Sequence, residues 1–207
     1  MKKKDSTLDT KIRFRTEKEL EIRKNEFLKI CYLLDKLNIR YFLQTGILLG
    51  AIRDNDLIKW DWDIEISVFS DEVIEKIDLL ADGIRNTGFE ILKEYRELSK
   101  LKIDFKGELP IETTKYTING WCHNKEEKVF WRKKFKVPDH LWKEMRKIEL
   151  FGKHHLAPYP PEKYLEYQYG DWKTPLISSD KSVYLTKNYS GISPIKEFFK
   201  KILNLVR

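Results

Sequence analysis

The sequence predicts a mixed α/β domain, or more loosely an α+β domain, in which helices flank a mixed central β-sheet. Short apolar or alternating runs, typical of strands, are interspersed with segments whose apolar residues recur at helical spacing. The chain has 207 residues, of which 41% are hydrophobic and 13% aromatic, enough apolar material for one sizeable core. We therefore expect one domain over residues 16–190, preceded by a basic, flexible arm over residues 1–15.

The first third of this domain alternates between helical and extended patterns. Apolar residues recur near helical spacing over residues 17–37, which predicts a helix that packs on the sheet. Residues 39–43 form a short apolar run typical of a buried strand, and residues 44–46 form a turn into a second apolar helix. A glycine in such a turn lets the chain come close to a ligand, and the N–H groups at a helix N-terminus face anions.

Three carboxylates follow at strict two-residue spacing, in Asp61, Asp63 and Glu65. In an extended strand successive side chains point to opposite faces, so the three acids are expected to share one face. Their mutual repulsion is costly unless a cation or a shared proton relieves it, and hard divalent cations prefer clustered carboxylate oxygens. The pattern favours a metal site. The alternative is an edge strand with a solvated acidic face.

The remaining elements are one more helix and several strands. Ser70 or Asp71 can cap a helix that ends at residues 86–88. Further strands are predicted at residues 90–95, 100–105, 111–121 and 128–131. Residues 191–207 carry apolar side chains on one helical side and basic ones elsewhere, which predicts a basic amphipathic helix. This helix either rests on an anionic membrane or covers the protein's own core.

The composition of the chain limits the classes of function and partner that we expect. The net charge of +7 favours a polyanionic partner, but the basic residues form no zinc-finger spacing, RNP-like strand or tandem basic helix, so no nucleic acid is expected. Cys31 and Cys122 fit no metal or redox motif and are expected to be reduced and structural. No signal-peptide pattern or membrane-length apolar run occurs, so we expect a cytoplasmic protein, with the inner face of the membrane as the alternative location.

Residues 45–64 read TGILLGAIRDNDLIKWDWDI, and residues 161–172 read PEKYLEYQYGDW. These two stretches resemble motifs of the LicD and fukutin-related phosphotransferases, a branch of the nucleotidyltransferase superfamily. The first follows that family's glycine-to-acid signature at Thr45, Gly46, Leu48, Leu49, Gly50, Ala51, Arg53, Ile58, Trp60, Asp61, Asp63 and Ile64. The second follows its closing P-x-x-Y-L-x-x-x-Y-G-x-D-W element, without the spacer before the aspartate, at Pro161, Tyr164, Leu165, Tyr169, Gly170, Asp171 and Trp172. The chain departs from the signature at residues 54–56, where His-Gly-Gly is usual, and at Glu65, where the family has a third aspartate.

The resemblance implies a nucleotidyltransferase-like fold and an enzyme that moves a phospho-alcohol of the phosphocholine type from a CDP-activated donor. The acceptor would be a hydroxyl of a cell-surface glycan of the lipopolysaccharide, capsule or teichoic acid type, free or lipid-linked. Asp61, Asp63 and Glu65 would hold Mg²⁺, with Mn²⁺ as an alternative ion. Two other readings remain open: nucleotidyl transfer from a nucleoside triphosphate, and a degenerate member that only binds glycan or a partner.

Four further residues complete the predicted site. Thr45 and Gly46 would seat phosphate at the helix N-terminus, and Arg53 would neutralise phosphate charge as a bidentate fork. The family usually brings one more carboxylate from a neighbouring strand, and Asp104 is the candidate, either as metal ligand or as general base toward the acceptor hydroxyl. The alternative for Asp104 is a surface aspartate in a hairpin.

An aromatic set in the second stretch could stack a base or cage a quaternary ammonium. Its members are Tyr159, Tyr164, Tyr167, Tyr169 and Trp172. The alternative is that these residues pack a helix onto the sheet.

Overall fold

Helices cover both faces of one mixed sheet in the described part of the chain, which comprises residues 13–178 and 180–186 of a computed structural model. The helices are α1 (Glu17–Lys36), α2 (Thr45–Arg53), α3 (Ser70–Val73), α4 (Ile77–Asn86), α5 (Pro161–Tyr169) and α6 (Lys181–Tyr184). The strands are β1 (Tyr41–Leu43), β2 (Asp63–Phe69), β3 (Glu90–Tyr95), β4 (Lys102–Lys106), β5 (Lys115–Asn124), β6 (Val129–Arg132), β7 (Phe135–Pro138), β8 (Met145–Leu150) and β9 (Lys153–Pro158).

The sheet has the order β3-β4-β5-β2-β1-β9-β8, and β6 and β7 form a hairpin that continues from β5. The pairs β2–β5 and β1–β9 are parallel, whereas the other pairs are antiparallel. This arrangement confirms the predicted fold class, a mixed sheet flanked by helices.

The two faces of the sheet have different chemistry. Tyr116 and its neighbours on one face are buried, and the Tyr116 hydroxyl donates to Glu26 of α1 at 2.6 Å. Glu65 lies on the opposite face, where the Thr45 hydroxyl of α2 donates to it at 3.2 Å. Because side chains alternate along a strand, β2 sends Ile64, Ile66 and Val68 into the core and its acids to the α2 side.

The start of the acidic strand differs from the prediction. β2 begins at Asp63, and Asp61 lies in the preceding turn, where its N–H donates to the Ile58 carbonyl at 3.1 Å. The strict alternation therefore holds only for Asp63 and Glu65, because the turn supplies its own hydrogen bond and keeps Asp61 out of the ladder. Asp61 reaches the same side of the sheet from this turn rather than from a strand.

The helix predicted after Ser70 is divided into α3, a 3₁₀ turn over Ile74–Lys76, and α4. Neither Ser70 nor Asp71 is a cap: Phe69 occupies that position, and Ser70 is fully buried. Gly120 of β5 makes this burial possible, since a Cβ there would lie 2.4 Å from the Ser70 hydroxyl. Tight packing on the sheet, rather than capping, positions this segment.

The structure describes only part of the two predicted terminal segments. Residues 1–12, 179 and 187–207 lie outside the described residues, and so do the predicted C-terminal helix and most of the predicted arm. Arg15 was predicted to belong to the arm, but it is buried in the domain. Its guanidinium donates to the Thr113 carbonyl from Nε at 3.2 Å and from Nη2 at 2.9 Å. The ordered domain therefore begins before residue 16. Within the described ranges, no helix combines the length and apolarity needed to cross a membrane.

Cys31 is buried in α1, as expected for a structural thiol, and burial raises its pKa to about 12. Cys122 is partly buried and is part of β5 rather than following it. Burial raises the pKa of the Cys122 thiol as well. Both cysteines are free thiols.

A histidine is buried in β9, between α1 and the neighbouring strands. His155 is 1% exposed, its Nδ1 bonds the Tyr41 hydroxyl at 3.0 Å and its Nε2 bonds the Leu150 carbonyl at 3.2 Å. Neutral imidazole satisfies both contacts, with one nitrogen accepting and the other donating. Burial lowers the pKa of His155 below its usual value of 6.5.

We expect the melting temperature to fall between pH 7.5 and 5.5, because the unfolded chain takes up a proton at this histidine below about pH 6.5 and the folded chain does not. The stability is thus complete above that pH and is lost at up to about 1.4 kcal/mol per pH unit as pH decreases toward the folded pKa. His155→Gln should flatten the fall, whereas His154→Gln, at the exposed neighbouring position, should retain it. Equal slopes for both variants in thermal melts would contradict this assignment.

Candidate active site

A cavity of about 620 Å³ lies over the start of β2 and is walled by α2, the β6–β7 hairpin, the end of α5 and the segment around α6. All of the predicted site residues except Asp104 line it: Thr45, Gly46, Arg53, Asp61, Asp63 and Glu65. The structure therefore brings together residues that the sequence could assign to a site only by motif.

Two carboxyl groups in the lining of this cavity interact with each other. The side chains of Asp61 and Asp63 lie within hydrogen-bond reach of each other, and the Asp63 backbone N–H donates to the Asp61 carboxylate. Burial raises the pKa of Asp61, and the charge of Glu65 raises it further, although the guanidinium of Arg23 acts in the opposite direction. Carboxylates this close must share either a proton or a cation.

Glu65 is held by two neutral donors. Thr45 Oγ1 donates to Oε2 and Asn119 Nδ2 donates to Oε1, each at 3.2 Å. Thr45 has a positive φ of 54°, a region that a β-branched residue rarely adopts. The backbone of this turn is thus locally strained, and the Thr45 hydroxyl is directed toward Glu65. The predicted role of Thr45 in seating a phosphate did not include this contact.

The N-terminus of α2 faces the same cavity without a side-chain cap. Gln44 occupies the cap position, but its amide is used elsewhere: Nε2 donates to the Tyr164 hydroxyl at 2.7 Å and Oε1 accepts from Ser67. The first turn of α2 also contains no acidic residue. Uncapped backbone N–H groups at a helix N-terminus are suited to an anion.

Gly46 is required by the packing of an acid. A Cβ at this position would lie 2.3 Å from Asp61 Oδ2, closer than any real contact permits. The sequence assigned this glycine to the approach of a phosphate. The structure shows that it also makes room for the Asp61 carboxylate.

Arg53 lines the cavity, but its charge is engaged. The guanidinium forms two hydrogen bonds of 2.8 Å with Asp54 and lies over the Trp60 ring at 5.6 Å from the centroid. Asp54 belongs to the stretch that departs from the family signature. The phosphate-binding role of Arg53 stays a prediction, and it requires a phosphate to share or replace this carboxylate.

Two buried arginines behind the acids were not predicted to belong to the site. Arg23 of α1 is 1% exposed, and its Nε and Nη1 have no hydrogen-bond partner among the described residues. Burial lowers the pKa of Arg23, whereas the charge of Asp61 raises it. Burial likewise lowers the pKa of Arg15 to about 10. These cations offset part of the negative charge of the acids. From a single sequence, an arginine on a helix, such as Arg23, is normally interpreted as a surface residue.

The second motif converges on the first. Tyr164 and Leu165 are fully buried and anchor α5, while Tyr169, Asp171 and Trp172 line the cavity. Of the five aromatic residues proposed to stack or cage a ligand, only Tyr169 and Trp172 reach the cavity. The other three pack elsewhere: Tyr164 against Trp142, Tyr167 against the Lys136 carbonyl, and Tyr159 against Arg146.

Several cavity residues were missed by sequence reasoning. Asp171 lay within the second motif, which could have found it, whereas Trp172 was predicted only as a member of the aromatic set. Arg132 and Tyr184 carried no local signal. Burial raises the pKa of Tyr184, and the charges of Asp61, Asp63 and Glu65, which line the same cavity, raise it further.

Asp104 occupies a different position from the one expected of a metal ligand. It pairs in register with Thr117 of β5, which in turn pairs with Glu65, so Asp104 shares the face of the acids but is two strands from Glu65. Lys102 Nζ donates to Oδ2 and Thr117 Oγ1 donates to Oδ1, each at 2.7 Å. Burial opposes its charge, but these contacts and the charge of Lys115 outweigh that effect and lower the pKa of Asp104.

We expect Asp104→Asn to affect stability more than catalysis. The change removes a partly buried ion pair, which should cost about 1 to 2 kcal/mol of unfolding free energy, measured by urea denaturation. Turnover should fall less than tenfold, because a carboxylate already bound by Lys102 is a weak base. Lys102→Gln should show a similar stability loss. A hundredfold loss of turnover with normal stability would instead restore the predicted catalytic role.

The donor set fits a hard divalent cation. Among the described residues no group of three acidic, histidine or cysteine side chains forms a ready-made ligand cage. Mg²⁺ does not need one, since it is commonly held by one or two carboxylates together with water and substrate phosphates. Asp61 and Asp63, in contact and facing the cavity, meet that requirement, and Glu65 adds a third oxygen donor nearby.

Comparisons with known proteins show what the chain is similar to in sequence and in fold. Forty residues, 19% of this chain, are 40% identical to ribitol 5-phosphate transferase FKRP from Mus musculus and Homo sapiens, and the match covers only 8% of each relative. The solution structure of the antibiotic-resistance factor ANT(2'')-Ia is similar in fold, with a TM-score of 0.50 and 12% identity over 90% of this chain and 96% of that one.

The family model for the LicD/FKTN/FKRP nucleotidyltransferase domain matches residues 38–160, more than half of the chain, and this range includes the three acids. It ends just before α5 and the second motif. The resemblance predicted from the sequence is thereby confirmed, and the chain belongs to the LicD/FKTN/FKRP nucleotidyltransferase-domain family.

Proposed function

We propose that this protein is a metal-dependent phosphotransferase that moves a phospho-alcohol from a CDP-activated donor to a hydroxyl of a cell-surface glycan. The observation that carries the proposal is the convergence of two motifs, distant in sequence, on one cavity. The first motif supplies the acids and the α2 N-terminus, and the second supplies Tyr169, Asp171 and Trp172. Family membership supports a transferase of phosphorylated alcohols or sugars.

Asp61 and Asp63, with Glu65 beside them, would hold Mg²⁺ or Mn²⁺ in this reaction. When bound, the cation would stabilise the negative charge that develops on the CMP leaving group. The chain's own contribution is mainly positioning. Thr45 and Asn119 fix Glu65, and the uncapped α2 N-terminus offers backbone N–H groups to a phosphate. Asp171 lines the cavity and becomes the candidate proton acceptor if Asp104 proves structural.

The transferred alcohol is an open element of the proposal. The relatives named above are ribitol 5-phosphate transferases, which supports a polyol. The aromatic rings of Tyr169 and Trp172 in the cavity wall support choline, whose quaternary ammonium binds aromatic faces. The glycan acceptor and a location in the cytoplasm or at the inner face of the membrane rest on family resemblance and the sequence patterns.

The test is release of CMP from a panel of CDP-alcohols carrying choline, ribitol, glycerol or ethanolamine, with host glycan as acceptor and with or without Mg²⁺ and Mn²⁺. Metal-dependent release from one donor, together with incorporation of its labelled phospho-alcohol into glycan, would support the proposal and name the alcohol. Release of pyrophosphate from a nucleoside triphosphate would support nucleotidyl transfer instead. Absence of both, with glycan binding retained, would favour a non-catalytic member.

A further inference from the structure

The cavity that holds the acids is also lined by an arginine. Arg132, the last residue of β6, lines the cavity. Within the part of the chain that the structure describes, its buried Nε has no hydrogen-bond partner. Its recorded contacts are with aromatic rings rather than carboxylates. A buried donor without a partner typically costs about 1 to 3 kcal/mol, so its presence in a cavity calls for a ligand.

Two aromatic rings hold the Arg132 guanidinium in place. It lies 5.6 Å from the ring centroid of Trp121, which is 1% exposed, and 5.9 Å from that of Phe135, which also lines the cavity. A guanidinium stacked on rings keeps its edge N–H groups available, and less side-chain freedom is lost when a ligand binds. The hairpin therefore presents a restrained cation.

The sheet register separates this cation from the acids. In the β2–β5 pairing, Glu65 is opposite Thr117 and Phe69 is opposite Trp121, the residue beneath Arg132. Four residues along a strand correspond to about 13 Å. This is the offset along the sheet between the backbone positions of Glu65 and Trp121, and one cavity is lined by both Glu65 and Arg132. A substrate in that cavity can therefore meet both charges.

We propose that Arg132 forms an anion subsite that binds a phosphate group of the substrates, complementary to the cation site at Asp61 and Asp63. The planar fork of arginine matches phosphate oxygens and can bind two of them at once. The phosphate belongs either to the nucleoside diphosphate donor or to a phosphate-bearing acceptor glycan. The identity of the ligand at this subsite rests on the proposed function, whereas the existence of the subsite does not.

The experiment measures binding of CDP, cytidine and inorganic pyrophosphate to the full chain by calorimetry in Mg²⁺. Arg132→Gln should weaken CDP and pyrophosphate about tenfold or more, leave cytidine unchanged, and be partly rescued in Arg132→Lys. Lys134→Gln is the matched control, since this exposed lysine lies in the same hairpin turn and does not line the cavity. Thermal melts of each variant separate a binding defect from loss of the Trp121 stacking.

The outcomes distinguish the two possible sources of the phosphate. Weaker CDP binding assigns the subsite to the donor, whereas unchanged CDP and pyrophosphate binding with a raised KM for glycan assigns it to the acceptor. If both ligands and the acceptor KM are unaffected in a folded Arg132→Gln variant, the subsite is overturned. If no CDP-alcohol reacts with the wild type but pyrophosphate binding still depends on Arg132, the proposed donor fails and the anion subsite stands.

Discussion

Asp63→Asn should reduce metal-dependent CMP release on the order of 10³-fold while leaving the protein folded. The substitution keeps the shape of the side chain but removes one of the two charges that would hold the cation. In buffer without divalent metal, the melting temperature should be unchanged or higher, because the backbone N–H at position 63 and the new amide can still donate to Asp61, while one negative charge leaves the acidic cluster. Loss of activity without loss of stability is the signature of a residue kept for function.

Asp71→Asn is the matched control, since this aspartate is exposed on α3 and lies away from the cavity lining. It should retain full activity and an unchanged melting temperature. Titration of Mg²⁺ should show weaker metal dependence for Asp63→Asn only. Activity within tenfold of wild type in that variant would remove the acids from the proposed chemistry.

Gly46→Ala should lower CMP release by about 10²-fold or more, although it adds a single methyl group. The new Cβ would overlap Asp61 Oδ2 at 2.3 Å, and the least costly relief is rotation of the flexible Asp61 side chain away from Asp63. A displacement of about 1 Å in a catalytic group can cost on the order of 10²-fold in rate. Stability should change little, because the overlap involves the end of a side chain.

Gly50→Ala in the same helix should show the opposite pattern. Its Cβ would lie 2.4 Å from the backbone carbonyl of Asp56, which cannot move without disturbing the loop, so a stability loss of about 1 to 3 kcal/mol is expected. Comparing turnover with unfolding free energy for the two variants separates their effects. A stability loss as large for Gly46→Ala as for Gly50→Ala would refute the proposed rotation of Asp61.

Local sequence patterns predicted the elements of the fold better than their arrangement. Helical spacing predicted the bounds of α1 to within one residue. In the structure, a capping box formed by Thr16 and Glu19 fixes the start of this helix. The strands at residues 90–95 and 128–131 were also found. The strands β7 to β9 were not predicted, because frequent lysine and arginine residues between residues 133 and 153 obscure any apolar alternation.

The site residues that belong to one sequence motif could be predicted. Those that distant segments bring into the cavity could not. Asp104 looked adjacent to the acids, but strand order is not encoded locally: β2 pairs with β5, which places β4 one strand further away. Arg132 has no motif, and its place in the cavity depends on the hairpin that follows β5. Asp61 was assigned to a strand because spacing does not reveal the turn hydrogen bond to Ile58.

The buried contact of Gln44 with Tyr164 and Ser67 has a consequence for how the protein can be divided. It fastens the start of α2 to α5, beyond the last residue of the matched family range. A fragment ending at residue 160 would keep Asp61, Asp63 and Glu65, yet it would lack Asp171, the hydroxyl that holds Gln44 and the wall formed by Tyr169 and Trp172. We therefore expect the smallest autonomous unit to extend past the matched family range, at least through Leu185, the last of the described residues that line the cavity.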